Sequence, residues 1–172
     1  ANIALALAER GRKVLLVDGD FRKPAQYRIF DEKDSSNYSF SDLLNGQADG
    51  NSVITQDPAT GIWKLFQYKP VSDPVMLLNS PQLAQVVEQL KTQMDFIIID
   101  CSPVSAVADA ELWMQHVDSG LLVVRQDMSD TRVVNDTVDL IWKSAGDFSG
   151  FVLNGFQSET LNHHRSGYYG NY

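Results

Sequence analysis

Two short apolar runs, Val14–Asp18 (VLLVD) and Phe96–Asp100 (FIIID), constrain this chain more than any other feature. Each is apolar at consecutive positions rather than alternate ones, the pattern of a strand covered on both faces, and each closes on an aspartate. Strands of that kind belong to a parallel sheet between helical layers, and helical patterns stand where the crossovers would be. Residues 1–10 read as the end of a helix, with Gly11 as its left-handed closing residue. Ser80 reads as an N-cap with Pro81 at the first helical position, and Leu83, Val86, Val87 and Leu90 follow at helical spacing. Helices over about 108–116 and 131–145, the latter with Val134, Val138 and Ile141 on one side, alternate with apolar runs at 121–124 and 151–153. The polar stretch from Phe21 to Asp57 suggests a short helix at 41–44, with strand-like segments near Val53 and over 62–68. The expected fold is α/β, a mostly parallel sheet flanked by helices and joined by right-handed crossovers.

Length and composition narrow the function classes. With 172 residues, 44% hydrophobic and 21% charged, the chain suits one domain, expected over 1–154, with 155–172 as a flexible polar extension. A formal net charge of -8 argues against attraction to nucleic acid or an acidic membrane. The single cysteine, Cys101, offers neither a disulfide nor a zinc cluster and fits a reducing compartment. The apolar runs fall far short of the roughly 20 residues that cross a bilayer.

Ligands of open parallel sheets bind beyond the carboxyl ends of the strands, where both apolar runs place an acid. Asp18 and Asp20 flank Gly19, which sets both side chains on one side of an extended segment, and Asp100 closes the other strand. Three carboxylates converging on one edge repel unless a cation lies among them, and a hydrated magnesium carrying nucleotide phosphates suits hard oxygen ligands. The alternative is that an aspartate after a strand is simply a polar loop residue.

The local sequences sharpen this. VLLVDGDFRKP carries D-x-D-x-R and IIIDCSP carries D-x-x-P, and both resemble the modified Walker A and Walker B motifs of the bacterial tyrosine kinases. The likeness covers nearly the whole chain: ANIALALAERGRKV is similar to the helix after the phosphate loop, LLNSPQLAQVVEQL to the middle helix, GFVLNGF to the late strand, and the SGYYGNY tail to the autophosphorylation cluster. The resemblance implies a P-loop NTPase fold of the deviant Walker class, related to the MinD and ParA ATPases, using ATP and Mg2+. It implies that Asp18 accepts the proton of an attacking tyrosine, that Asp20 and Asp100 hold magnesium directly or through water, and that Tyr168, Tyr169 and Tyr172 are the phosphate acceptors. Arg22 would pair with a phosphate or an acid of a neighbouring subunit, or else neutralise Asp18 or Asp20. Asn154 would contact the adenine ring, or else serve as a turn residue. Partners implied are a membrane activator or polysaccharide co-polymerase, fused or separate, further copies of the chain in a ring, and a tyrosine phosphatase. The implied place is the cytoplasmic face of the plasma membrane.

The sequence departs from the family in one respect: no G-x-x-x-x-G-K-[ST] loop occurs in it. The expectation is a chain truncated before Ala1, binding ATP poorly alone, with two apolar strand edges left without partners. Two other readings compete, a non-kinase ATPase of the partition and division-site group and a catalytically inactive regulatory module of a polysaccharide co-polymerase. His163 and His164 read as a solvated pair, Cys101 as a packing residue, and Trp63, Trp113 and Trp142 as core or contact aromatics.

Overall fold

A computed structural model describes residues 1–32, 38–104, 108–143 and 147–156. Its elements in chain order are α1 (Asn2–Ala8), β1 (Val14–Asp18), α2 (Gln26–Ile29), α3 (Phe40–Leu44), α4 (Gly50–Val53), β2 (Ile54–Gln56), β3 (Trp63–Leu65), α5 (Pro74–Leu78), α6 (Pro81–Lys91), β4 (Phe96–Asp100), α7 (Asp109–Met114), β5 (Ser119–Arg125), α8 (Thr131–Lys143) and β6 (Asp147–Asn154). They divide into two compact units, residues 1–116 and 117–172. The sequence carries no linker composition at that boundary.

The first unit is built on a four-stranded sheet in the order β2-β3-β1-β4, with β3, β1 and β4 parallel and β2 antiparallel to β3. All five residues of β1 are buried, as its unbroken apolar run requires. Because side chains alternate across a strand, Leu15 and Val17 join one core layer with Leu78, Leu83, Val87, Leu90 and Trp113 from α5, α6 and α7. Val14 and Leu16 face the other layer, with Ala4 of α1 and Ile62, Phe66 and Tyr68. β4 has β1 as its one partner strand among the described residues, and Phe96 is 41% exposed.

Local signals explain the helix ends. Gly11 adopts φ +76° and donates its N–H to the Ala8 carbonyl at 2.8 Å, closing α1 in the left-handed conformation that residues with a side chain rarely adopt. The Ser80 hydroxyl accepts from the Leu83 N–H at 3.2 Å, and Pro81 opens α6. Asp42 accepts from the Ser39 N–H at 2.7 Å and fixes the start of α3. The short helices α2, α4 and α5 have too few residues for a visible period and were not expected from the sequence.

The second unit pairs β5 and β6 in parallel, Leu122 opposite Phe151 and Val124 opposite Leu153. In α8, Thr137 and Ile141 are buried. The Trp142 ring lies 6.4 Å from that of Phe148, which meets Phe151 edge-on at 4.9 Å.

Candidate active site

The carboxyl ends of β1 and β4 lie side by side, with Asp18 and Asp100 directly paired in the ladder. The chain leaves β1 through Gly19, whose N–H donates to the Asp100 carbonyl at 2.7 Å. Gly19 is required here by space. A Cβ would lie 2.8 Å from Ile99 Cγ2, 2.9 Å from the Asp100 carbonyl oxygen and 3.0 Å from Trp113 Cε2. The Trp113 indole N–H donates to the Gly19 carbonyl at 3.1 Å, so α7 grips the turn from one side while β4 grips it from the other.

Asp20 and Asp100 each have one oxygen held by the protein, and Asp18 has both engaged. Asp18 Oδ2 accepts the N–H groups of Ala25 and Gln26, both at 2.9 Å, and its Oδ1 receives one long bond of 3.3 Å from the Asp20 N–H. Asp20 Oδ1 accepts from the N–H groups of Arg22 and Lys23 at 3.0 and 2.9 Å and from the Ser102 hydroxyl at 2.6 Å. Asp100 Oδ2 accepts from the Gln26 side-chain amide at 2.7 Å. The second oxygens of Asp20 and Asp100 take no protein hydrogen bond among the described residues and are the ones left for a ligand.

Burial and charge act on these groups differently. Asp18 has 0% exposure. Its pKa is pushed up from 3.8 to about 6, first by loss of solvent and finally by the neighbouring Asp100, although the three backbone N–H groups oppose the shift. Cys101, also largely removed from water and beside Asp100, Asp20 and Asp109, has its thiol pushed up to about 11. It packs against the core as expected and is no nucleophile at neutral pH.

No group of three or more His, Cys, Asp or Glu side chains among the described residues is arranged as a metal cluster. The three aspartates expected from the sequence share one rim, Asp18 paired with Asp100 in the ladder and Asp20 tied to Ser102 beyond β4. The open oxygens of Asp20 and Asp100 still fit magnesium, which characteristically takes one or two carboxylates and completes its shell with water and phosphate oxygens.

The Arg22 guanidinium donates to neither Asp18 nor Asp20 but forks onto Asp109, Nε to Oδ2 at 2.7 Å and Nη2 to Oδ1 at 2.9 Å, with Asp20 acting on it only through its charge. The Asp109 side chain is 1% exposed and that of Arg22 39%. This bidentate bond, first among its causes, raises the arginine pKa further. Asp109, Gln26 and Ser102 carry no site signal in the sequence, whereas Trp113, expected there as a core or contact aromatic, is buried in the core. Asp109 is only an acid in the first turn of a helix, which ordinarily means a favourable dipole contact. Asn154 ends β6, and its side-chain oxygen accepts from the Gly155 N–H at 2.9 Å. Tyr168, Tyr169, Tyr172, His163 and His164 lie outside the described residues.

Residues 1–131 match a family model described as an AAA domain. The chain is 31% identical over 154 residues to the putative tyrosine-protein kinase CapB of Staphylococcus aureus, covering 90% of this chain and 67% of CapB. It is 30% identical over 174 residues to the tyrosine-protein kinase CpsD of Streptococcus pneumoniae, covering 99% and 75% respectively. The chain belongs to the bacterial tyrosine kinase family. It spans only 21% of the tyrosine-protein kinase ptk of Acinetobacter johnsonii, to which it is 28% identical over 91% of its own length. Among solved structures, the VpsO kinase domain superposes with a TM-score of 0.84 at 32% identity, covering 91% of this chain and 76% of that one. The cell division ATPase MinD of Pyrococcus furiosus follows the same fold with a TM-score of 0.74 at 27% identity, covering 96% and 72%. The fold is thus that of the P-loop ATPases to which both belong. No helix among the described residues is long and apolar enough to cross a membrane.

Proposed function

We propose that this kinase-family chain serves an ATP-dependent protein-tyrosine autokinase that regulates capsular or exopolysaccharide synthesis and export and phosphorylates its own C-terminal tyrosines. The carrying observation is the pairing of Asp18 with Asp100 at the ends of adjacent parallel strands, with Asp20 tied to the same rim through Ser102. A tyrosine hydroxyl with a pKa of about 10 is a poor nucleophile near neutrality and gains from a positioned carboxylate. Asp18, raised to about 6, is strong enough as a base to take that proton, and Oδ1 is the oxygen with capacity for it. Asp20 and Asp100 would hold the hydrated magnesium of Mg-ATP. Bound there, the ion would neutralise phosphate charge, which is most of what phosphoryl transfer asks of a protein. Arg22, fixed by Asp109, keeps a solvent-facing edge for a phosphate or for an acid of a neighbouring subunit. Assembly as a ring beside a membrane-bound activator, with a tyrosine phosphatase to reverse the modification, completes the reading.

The full-length protein incubated with magnesium and ATP is expected to gain phosphotyrosine on Tyr168, Tyr169 and Tyr172, and to lose the label in Asp18→Asn and in the triple Tyr→Phe variant. ATP hydrolysis without phosphotyrosine would favour the MinD-like ATPase instead. Neither hydrolysis nor labelling would favour the inactive module.

A further inference from the structure

Gln26 opens α2 and is 5% exposed, yet it touches both strand-end aspartates. Its backbone N–H donates to Asp18 Oδ2 at 2.9 Å, and its side-chain Nε2 donates to Asp100 Oδ2 at 2.7 Å. Its Oε1 is the buried side-chain polar atom without a hydrogen-bond partner among the described residues. A buried amide oxygen left without a donor is costly, and native structures retain such a group where a ligand or water completes it. Turning the carboxamide over does not help, because that would set Oε1 against a carboxylate oxygen of Asp100. The charge of Asp100 therefore fixes which end of the amide faces the carboxylate, and the acceptor end stays at the same rim.

What Oε1 can receive is limited by chemistry. Phosphate oxygens are themselves acceptors, and the charged open carboxylate oxygens are stronger ligands for the cation than a neutral amide oxygen, which leaves Oε1 to a partner that carries a hydrogen. A water in the shell of a magnesium held by Asp100 is polarised towards donation and sits beside the carboxylate that Gln26 already holds. We propose that Gln26 is a positioning residue for the magnesium site: its amide nitrogen orients Asp100, its backbone nitrogen orients Asp18, and its side-chain oxygen accepts from a metal-bound water. This rests on the kinase reading above and adds to it a group that spans the base and the metal ligand.

The test uses the full-length protein with Mn2+ as the probe, titrated in the presence of ADP, and the nitrogen resonance of the Gln26 carboxamide as a second measurement. Partners of metal ligands commonly change metal affinity by about 10- to 100-fold. Gln26→Leu is expected to weaken Mn2+ binding by at least about tenfold while leaving ADP binding in the absence of metal unchanged. In the wild-type protein the Gln26 carboxamide nitrogen signal is expected to move downfield when Mg2+ is added to the ADP complex, because its oxygen gains a donor. Wild-type Mn2+ affinity in a folded Gln26→Leu protein would overturn the proposal. So would a Gln26 signal that ignores Mg2+, or one that moves only when a tyrosine peptide is added, and these wild-type measurements decide the matter even if the variant does not fold. A wild-type protein that binds no Mn2+ with ADP would instead remove the kinase reading and this proposal together.

Discussion

Replacing Gly19 with alanine tests the architecture of the rim directly. The added methyl would meet Ile99 Cγ2 at 2.8 Å, the Asp100 carbonyl oxygen at 2.9 Å and Trp113 Cε2 at 3.0 Å, whereas carbon contacts are comfortable at about 3.5 to 4.0 Å. Ile99 can shift by rotating its side chain, but the Asp100 oxygen is backbone within the β1–β4 ladder and Trp113 is buried against Phe21 and Phe40. Overpacking of this kind costs about 1 to 3 kcal/mol, and two rigid neighbours out of three place Gly19→Ala near the upper end, about 2 to 3 kcal/mol. At about 2 to 4 °C per kcal/mol for a chain of this size, the melting temperature should fall by roughly 4 to 12 °C. Gly50→Ala is the matched control. It opens α4, and its nearest foreign atom would be Ile54 Cδ1 at 4.0 Å, so it should be neutral or stabilising by up to about 1 kcal/mol. Thermal and urea melts of both variants give the comparison. A Gly19→Ala protein that melts with the wild type would refute the close approach of α7 and β4 around this turn.

Two further outcomes follow from the same geometry. Asp18, at about 6 in the folded state against 3.8 as an ordinary carboxylate, keeps a proton over a range where the unfolded chain has released it; stability should therefore fall as pH rises from about 4 to 6, by about 3 kcal/mol in all, and level off above. Asp18→Asn should remove that slope in urea titrations across the window, and an unchanged slope would assign the raised proton affinity to another group. Asp109→Asn cannot reproduce the fork on Arg22, and Arg22→Lys cannot present one; each should slow autophosphorylation by about ten- to a hundredfold by misplacing the D-x-D-x-R turn, and wild-type rates in both would show that the fork has no part in the reaction.

Some of this protein was legible in its residues alone. VLLVD specifies a strand covered on both faces because backbone that is buried must pair and side chains on both sides must be apolar; FIIID forms the expected parallel strand, but none of its residues is fully buried, so its apolar run marked the strand and not the cover over it. The acids that end them fall at the ligand-binding edge for the same topological reason, and Ser80-Pro81 and Gly11 announce helix ends through rules confined to a few neighbouring residues. Asp18, Asp20 and Asp100 were expected at that edge for this reason, and Asp18 and Asp100 pair there.

Tertiary structure alone decided what surrounds them. Arg22 meets Asp109 across 87 positions of sequence and Gln26 meets Asp100 across 74, and no local pattern encodes a pairing that exists only once β1, β4 and α7 are packed. The same packing tied one oxygen of Asp20 and one of Asp100 and lifted the proton affinity of Asp18, because desolvation depends on every group that closes over a carboxylate rather than on its neighbours in the chain. Sequence periodicity places a residue on an element; which charge it then faces is settled by how the elements meet.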